Sequence, residues 1–118
     1  MDEKTTLREL KNIVKKFCED RDWDKYHNPK DLAIGIITEA SELLEHFRSK
    51  SEKDIEQILE SRKEEVSEEL ADVLYFILRL AQMHDIDLAT ELEKKLRKYE
   101  LKYPIEKSKG SNKKYTDL

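Results

Sequence analysis

The sequence predicts an all-α protein in which four helices form an antiparallel bundle. Of its 118 residues only 2 are glycine and 2 are proline, so few residues would interrupt a helix. Charged residues make up 42% of the chain and hydrophobic residues 37%, a composition that is typical of helical bundles. Apolar residues recur every three or four positions along several long segments, as they do on the buried face of a helix.

The first two helices are predicted over residues 5–20 and 29–48, with a loop over residues 21–27 between them. Asn28 and the proline after it mark the start of the second helix, because asparagine is a common N-cap and proline suits the first helical position. Gly35 lies inside that helix, where glycine costs about 0.5–1 kcal/mol relative to alanine. We therefore expect another chain or a ligand to come close at Gly35. The apolar face of the first helix comprises Leu7, Leu10, Ile13, Val14 and Phe17.

A short helix is predicted within residues 49–61, followed by a third long helix over residues 62–84. Ser61 and the glutamate three residues later form a capping-box pattern, which places the start of the long helix directly after Ser61. Tyr75 and Leu78 lie outside the main apolar face of the long helix, which predicts contact with another copy of the chain. The short helix is expected to bury Ile55, Ile58 and Leu59. The main face of the long helix comprises Val66, Leu70, Val73, Leu74, Ile77, Leu80 and Ala81.

The last helix completes a single helical domain, predicted over residues 1–104, and a basic tail follows over residues 105–118. Asp85 and Asp87 can cap this helix at its start. The proline at position 104 ends it, because a helix cannot readily continue into proline.

Several partners and locations are not expected. The net charge of −4 does not favour binding to a nucleic-acid backbone. No apolar run approaches the ~20 residues that span a membrane, and the N-terminus lacks the apolar region of a signal peptide. Cys18 is the only cysteine and cannot form an internal disulfide, which fits a reducing compartment. The sequence therefore predicts a soluble cytoplasmic protein without a nucleic-acid or membrane partner.

Two pairs of acidic residues form the most informative motif. Glu39 and Glu42 make an E-x-x-E on the second helix, and Glu69 and Asp72 make an E-x-x-D on the third. Helical residues three apart point the same way, and each pair flanks an apolar face, so packed helices would bring the pairs together. Carboxylates beside a core are costly without a compensating positive charge. Their oxygens are ligands that suit Mg²⁺, with Mn²⁺ as a substitute.

These four carboxylates predict a site for a metal-bound polyphosphate. The metal would neutralise phosphate oxygens and lower the pKa of a bound water. A carboxylate that is not fully committed to the metal could take the proton from that water, and the candidates are Glu39, Glu42 and Glu65. We assign the catalytic role to Glu39 and Glu42. The alternative is a solvated acidic face on a non-catalytic helical interaction module.

Other side chains could bind the rest of a nucleotide. Trp23 is the only tryptophan and lies with Tyr26 and His27 just before the second helix. Its indole could stack on a nucleobase or simply plug a helix junction. Phe76 lies on the acidic flank of the third helix. The lysines that could contact phosphate are Lys30, Lys94, Lys95, Lys98, Lys113 and Lys114.

Taken together, these residues resemble the MazG-like all-α nucleoside triphosphate pyrophosphohydrolases, and they are most similar to the dCTP pyrophosphatase branch. The resemblance extends over nearly the whole chain. Its segments are RDWDKYHNPKDLA at 21–33, GIITEASELLEHF at 35–47, EELADVLYF at 68–76, Lys95, Tyr103-Pro104 and KKYTDL at 113–118.

The resemblance implies a four-helix bundle that assembles as a homodimer or homotetramer. It implies Mg²⁺-dependent cleavage of a nucleoside triphosphate between the α and β phosphates, giving a nucleoside monophosphate and pyrophosphate, in sanitation of the nucleotide pool. It assigns the metal to the acidic quartet, the base pocket to Trp23, and phosphate contacts to Lys95, Lys113 and Lys114. The full set of predicted substrate-binding residues is Trp23, His27, Lys30, Phe76, Lys95, Tyr99, Lys113 and Lys114.

Three positions differ from the pattern of the dCTP-specific branch. Val14 stands where the branch has histidine, and Tyr99 stands where it has asparagine. Residues 47–49 read Phe-Arg-Ser in place of Phe-Gln-Trp. Because hydrogen bonds to a base discriminate strongly between substrates, we expect a broader or different pyrimidine preference, or a modified nucleotide. The phosphoribosyl-ATP pyrophosphohydrolases share this superfamily and its chemistry and are a second enzymatic alternative.

Overall fold

The computed structural model describes residues 1–118, and its only regular elements are helices. The helices are α1 (Leu7–Glu19), α2 (Pro29–Glu45), α3 (Glu52–Ser61), α4 (Lys63–Met83), α5 (Leu88–Lys102) and α6 (Ile105–Ser108), and short 3₁₀ turns lie at Asp24–Tyr26 and Tyr115–Asp117. The predicted all-α fold is confirmed. None of these helices combines the length and apolar character that a membrane span requires.

Side-chain caps fix the starts of α2 and α5 where the sequence predicts them. Asn28 Oδ1 accepts a hydrogen bond from the backbone N–H of Asp31 at 2.9 Å, and Asp87 Oδ1 accepts one from the N–H of Thr90 at 2.9 Å. Each bond satisfies a first-turn N–H that has no partner inside the helix. Asp85 is not the cap; with φ of 52° it forms the left-handed turn after α4.

The predicted capping box at the start of α4 is wrong. Ser61 is the last residue of α3, and its hydroxyl donates a hydrogen bond to the backbone carbonyl of Gln57 at 2.9 Å. Arg62 joins α3 to α4 without a side-chain cap. The two helices are nearly continuous, so the serine bonds back to its own helix instead of capping the next one.

The compact unit Met1–Asp85 is organised around α4, which packs against α1, α2 and α3. Ile58 of α3 is buried as predicted, whereas Leu59 is about half exposed, contrary to the prediction. Apolar burial in this unit is limited to a few side chains. They are Cys18, Leu32, Ile58, Val66, Leu78 and Ala81.

The side of α4 that is buried within the chain differs in part from the side that the sequence predicts. Leu78 is buried within the chain, and the ring of Tyr75 contacts that of Phe17 edge to face, with centroids 6.3 Å apart. Leu70 and Leu74, predicted in the main buried face, are instead 54% and 41% exposed. A helix that is apolar on several sides does not reveal from its periodicity which side faces its own chain.

Gly35 allows α2 and α4 to pack closely. A Cβ atom at this position would lie 2.6 Å from the ring of Phe76, nearer than carbon atoms normally approach. The close approach that the sequence predicts at Gly35 is therefore made by α4 of the same chain. The absence of a side chain at Gly35 gives the aromatic ring its place between the two helices.

The second compact unit, Ile86–Leu118, comprises α5, α6 and the C-terminal turn. Within it, the ring of Tyr115 packs edge to face against that of Tyr103, with centroids 5.9 Å apart. The ammonium of Lys102 lies 4.8 Å from the centre of the Tyr115 ring, within cation–π range. The last residues thus have contacts of their own. The predicted division of the chain at residue 104 stays a prediction.

The Gly35→Ala substitution is expected to lower the melting temperature, even though alanine favours a helix by about 1 kcal/mol over glycine. The new methyl group would collide with the Phe76 ring, and overpacking costs about 1–3 kcal/mol. In a Phe76→Leu background, which relieves the collision, the same substitution should be neutral or stabilising. Thermal melts at one protein concentration test this, and a higher melting temperature for Gly35→Ala alone would contradict the close contact.

Candidate active site

Three carboxylates of α2 and α4 lie close enough to that of Glu39 to act on its charge. They are the other acidic residues of the two sequence motifs, Glu42 on α2 and Glu69 and Asp72 on α4. A hydrogen bond with Glu42 raises the pKa of Glu39 the most. Desolvation and the negative charges of Glu42, Asp72 and Glu69 raise this pKa further. The packing of α2 on α4 thus brings the predicted acidic residues into one cluster.

Two oxygens of this acidic cluster are buried without a hydrogen-bond donor. They are Glu39 Oε2 and Glu69 Oε2. His46 Nε2 lies 2.6 Å from Glu69 Oε2, a distance suited to an ion pair, but outside hydrogen-bonding geometry. His46 is not among the residues that the sequence predicts for the site. The signal for it was its position four residues after Glu42, on the same flank of α2.

The acidic cluster suits a hard divalent cation by the chemistry of its donors. Carboxylate oxygens are the ligands that Mg²⁺ prefers, and buried unpartnered oxygens favour a compensating positive charge. No three acidic, histidine or cysteine side chains are arranged around one point as ligands in this conformation. Glu39 can hydrogen-bond to Glu42 only when one of the two carboxyl groups is protonated, and Glu69 lies against His46. The donors therefore match the cation in type, and joint coordination requires their side chains to rotate.

An apolar cavity of about 480 Å³ adjoins the acidic cluster. Asp72 belongs to both, because its side chain lines the cavity as well as acting on Glu39. The remaining walls come from α1, α4 and the segment between α1 and α2. The lining residues are Ile13, Val14, Phe17, Trp23, Ala71, Asp72 and Tyr75.

Trp23 forms one wall of this cavity and is 37% exposed. Its ring packs edge to face against Phe17, with centroids 5.8 Å apart, and against His27 at 6.1 Å. Both interpretations of Trp23 therefore have support, since the indole packs at a helix junction and also faces an open cavity. Phe17 and Tyr75 also line the cavity, a role that the sequence does not predict because their spacing only marks them as apolar helix residues.

Tyr75 is the only residue lining the cavity that has a hydroxyl group, and that group is engaged. Its oxygen lies 3.3 Å from Cys18 Sγ. Burial, together with this hydrogen bond, raises the pKa of Tyr75 to about 12. The cavity thus presents mainly apolar surface, and Asp72 is the one charged residue among those that line it.

The other predicted site residues of this unit have varied surroundings. His27 is half-buried, and desolvation, followed by the nearby charge of Arg79, lowers its pKa. Lys30 is exposed in the first turn of α2. Phe76 packs against Gly35 and stacks edge to face with Tyr75. Glu65 is exposed and is not among the groups that act on Glu39.

Four predicted substrate-binding residues lie in the second compact unit. The ammonium of Lys95 is 5.4 Å from the centre of the Tyr99 ring. Lys113 and Lys114 are exposed just before the C-terminal turn. Their assignment to the substrate stays a prediction.

Comparison with known proteins identifies several relatives. A family model described as the MazG-like family matches residues 34–118. The chain is 34% identical over 115 residues to dCTP pyrophosphatase 1 of Rattus norvegicus, covering 96% of this chain and 68% of that protein. It is 30% identical to the Homo sapiens protein of the same name, over the same shares of the two chains. The crystal structure of a pyrophosphatase from Archaeoglobus fulgidus superposes with a TM-score of 0.79 at 42% identity, covering 83% of this chain and 92% of that one.

Glu39→Gln is expected to raise the melting temperature when no divalent cation is present. Glutamine can keep the hydrogen bond to Glu42 while it removes one charge from the cluster. Because folding raises the pKa of Glu39, the stability that protonated Glu39 contributes is present at low pH and is lost as the pH rises through that pKa. The stabilisation should therefore be a few degrees near about pH 8 and should shrink towards about pH 4, where carboxyl groups become protonated.

Thermal melts in EDTA at several pH values measure this effect. Glu68→Gln, which neutralises an exposed carboxylate on α4 outside the cluster, is the matched control and should change little. A melting temperature of Glu39→Gln that equals or falls below the wild-type value near neutral pH would show that the four carboxylates do not repel one another.

Proposed function

The chain belongs to the MazG-like family and is a nucleotide pyrophosphohydrolase, and on that premise we propose the details of its reaction. It cleaves a nucleoside triphosphate between the α and β phosphates, giving a nucleoside monophosphate and pyrophosphate. The reaction depends on Mg²⁺, for which Mn²⁺ can substitute. The observation that supports this proposal most strongly is that Asp72 both lines the apolar cavity and belongs to the acidic cluster.

The arrangement matches the two chemically different ends of a nucleotide. An apolar cavity of about 480 Å³ is large enough for a base and sugar, and Trp23 offers it an aromatic wall. The acidic cluster beside it can receive the triphosphate only together with cations, because carboxylates and phosphates repel each other. Substrate orientation therefore follows from the position of the cavity relative to the cluster.

Glu39, Glu42, Glu69 and Asp72 would hold the Mg²⁺. When bound, the cation neutralises phosphate charge and acidifies a water molecule. The proton of the attacking water needs an acceptor on the protein. We assign that role to an oxygen of Glu39 or Glu42 that is not committed to the cation, because both carboxylates belong to the acidic cluster. His46 orients Glu69 through their 2.6 Å contact.

The substrate is proposed to be a pyrimidine nucleotide or a modified nucleotide rather than dCTP alone. The relatives from Rattus norvegicus and Homo sapiens are named dCTP pyrophosphatase 1. Here Val14 adds an apolar side chain to the cavity, and the Tyr75 hydroxyl is engaged by Cys18. With few polar groups facing the base, selection relies on shape and stacking, which discriminate less than hydrogen bonds do.

Several further residues are proposed to contact the substrate. His27 and Phe76 lie near the aromatic walls of the site, and Lys30 supplies a positive charge at the start of α2. Residues of the second compact unit are proposed to neutralise the phosphates or to contact the base. They are Lys95, Tyr99, Lys113 and Lys114.

We also propose that the chain assembles as a homodimer or homotetramer. Large apolar side chains on α2 and α4 remain exposed, and the most exposed of them is Ile37 at 71%. Exposed apolar area of this extent on packed helices is typical of a surface that another subunit covers. The residues concerned are Ile34, Ile37, Leu44, Leu70 and Leu74. The proposed location is the cytoplasm, where the buried free thiol of Cys18 would stay reduced.

Pyrophosphate release from all common NTPs and dNTPs, measured with Mg²⁺, tests the proposed reaction. Activity should be highest with a pyrimidine nucleotide, or with a modified nucleotide that is added to this panel, and absent in EDTA. Asp72→Asn keeps the shape of the side chain but removes its charge, and it should lower turnover by more than about 100-fold. The matched control Glu68→Gln should retain wild-type turnover. Full activity of Asp72→Asn would remove this residue from the mechanism.

Ile37→Glu is expected to weaken assembly, because it places a charge within the exposed apolar surface of α2. Sedimentation velocity at micromolar concentration should show an oligomer for the wild type and a smaller species for the variant. Lys53→Glu, which changes an exposed residue of α3, is the control and should leave the oligomer unchanged. A wild-type monomer under these conditions would contradict the proposed assembly.

A further inference from the structure

Arg79 is a buried charge inside the first compact unit. It lies on α4 and is only 1% exposed. A buried guanidinium is costly unless its donors are satisfied, and here each of its three nitrogens donates a hydrogen bond. Nε donates to His27 Nδ1 at 2.9 Å and Nη1 donates to Gln82 Oε1 at 2.7 Å. Nη2 donates to Asp24 Oδ1 in an ion pair.

Two of these partners lie at opposite ends of the 3₁₀ turn Asp24–Tyr26. Asp24 is the first residue of the turn, and His27 directly follows its last residue. The turn has few hydrogen bonds of its own, and the residue just before Trp23, Asp22, has φ of 55° in the left-handed region. Such an irregular segment needs contacts from outside to hold one conformation. Arg79 supplies them from the rigid helix α4.

The same turn sets the position of Trp23. The indole belongs to the residue that precedes the turn, and it packs edge to face against His27, which Arg79 holds. On α4, Asp72, Tyr75 and Arg79 follow one another at spacings of three and four, so they lie along one side of the helix. On that side of the helix, Asp72 belongs to the acidic cluster, Tyr75 lines the cavity, and Arg79 holds the turn that follows Trp23.

The hydrogen bond from Arg79 also fixes the protonation form of His27. A guanidinium can only donate, so His27 Nδ1 must accept and carries no proton. The proton of the neutral ring is then on Nε2. A doubly protonated His27 could not accept this hydrogen bond, and its positive charge would repel Arg79. Both effects would loosen the turn.

We propose that Arg79 is a positioning residue for nucleotide binding, which fixes the Trp23 wall of the cavity by holding both ends of the Asp24–Tyr26 turn. Its role in binding rests on the proposed function, whereas its effect on the Trp23 wall does not. Arg79 itself does not line the cavity, so it acts through Trp23. Loss of the anchor should weaken nucleotide binding more than it slows the chemical step.

Arg79→Lys is the informative substitution, because a lysine ammonium keeps the charge but cannot reproduce the three-way fork of a guanidinium. Trp23 is the only tryptophan, so its fluorescence reports on this wall alone. The variant should show a red-shifted emission and about twofold stronger quenching by acrylamide, while its helical circular dichroism is unchanged. The nucleotide KM should rise roughly tenfold, as expected when one aromatic contact with a base is lost, with kcat within about twofold of wild type.

Two controls separate positioning from a general loss of stability. Arg8→Lys changes an exposed arginine near the start of α1, and it should leave fluorescence and KM unchanged. Asp24→Ala removes one anchor contact at a residue whose side chain is about half exposed, so it tests the proposal even if Arg79→Lys does not fold. Asp24→Ala should shift the Trp23 emission, strengthen quenching and raise KM in the same direction as Arg79→Lys, but by smaller amounts. Adding it to Arg79→Lys should give less than the sum of the two effects.

Unchanged Trp23 quenching and unchanged KM in folded Arg79→Lys or Asp24→Ala would overturn the proposal. So would a fall in kcat at constant KM, because that is the result expected from a reduced fraction of folded enzyme. If the wild type released pyrophosphate from no nucleotide, that result would instead contradict the proposed function. The quenching measurements would still decide whether Arg79 holds the Trp23 wall.

Discussion

The main constraint on the structure is that α2 and α4 hold three carboxylates close to that of Glu39, which disfavours its charged form. Each pair lies on the flank of a helix, and the close packing of Phe76 on Gly35 keeps these two helices together. The result is a raised pKa for Glu39 and two buried oxygens without hydrogen-bond donors. A fold with so small a buried apolar core can tolerate this arrangement most easily if a cation or a proton compensates the charge.

Helix α4 connects the parts of the site within the first compact unit. It carries Asp72 at the acidic cluster, Tyr75 at the cavity and Arg79 at the turn that precedes α2. Because these residues share one side of a rigid helix, the distances between cluster, cavity and Trp23 wall are set by regular geometry. The irregular part of the site is the turn, and it is the part that Arg79 anchors. This division explains how a short chain can hold the cavity and the acidic cluster in a fixed relation to one another.

Much of this architecture could be predicted from the sequence, because it depends on local patterns. The spacing of apolar residues predicts α1, α2 and α4, and the cap residues Asn28 and Asp87 predict two helix starts. The two acidic motifs predict the cluster. The failures concern choices that local pattern does not determine. Ser61 had an equally good partner inside its own helix, so it does not cap α4.

The remaining site residues could not be found from sequence because their roles arise only on packing. Phe17 resembles any core residue of an amphipathic helix, yet it lines a cavity. Arg79 would normally be assigned to solvent, and only its position within an apolar run hinted that it is buried. His46 contacts Glu69 across two helices, a pairing that spacing along one helix does not show.

Binding of Mn²⁺, followed by electron paramagnetic resonance, tests most directly whether the two helices share one cation site. Glu42→Gln on α2 and Glu69→Gln on α4 should each weaken binding strongly, and combining them should add little. This result is predicted because ligands from both helices are needed for the same ion. Wild-type Mn²⁺ affinity in either single variant would contradict a site shared between α2 and α4.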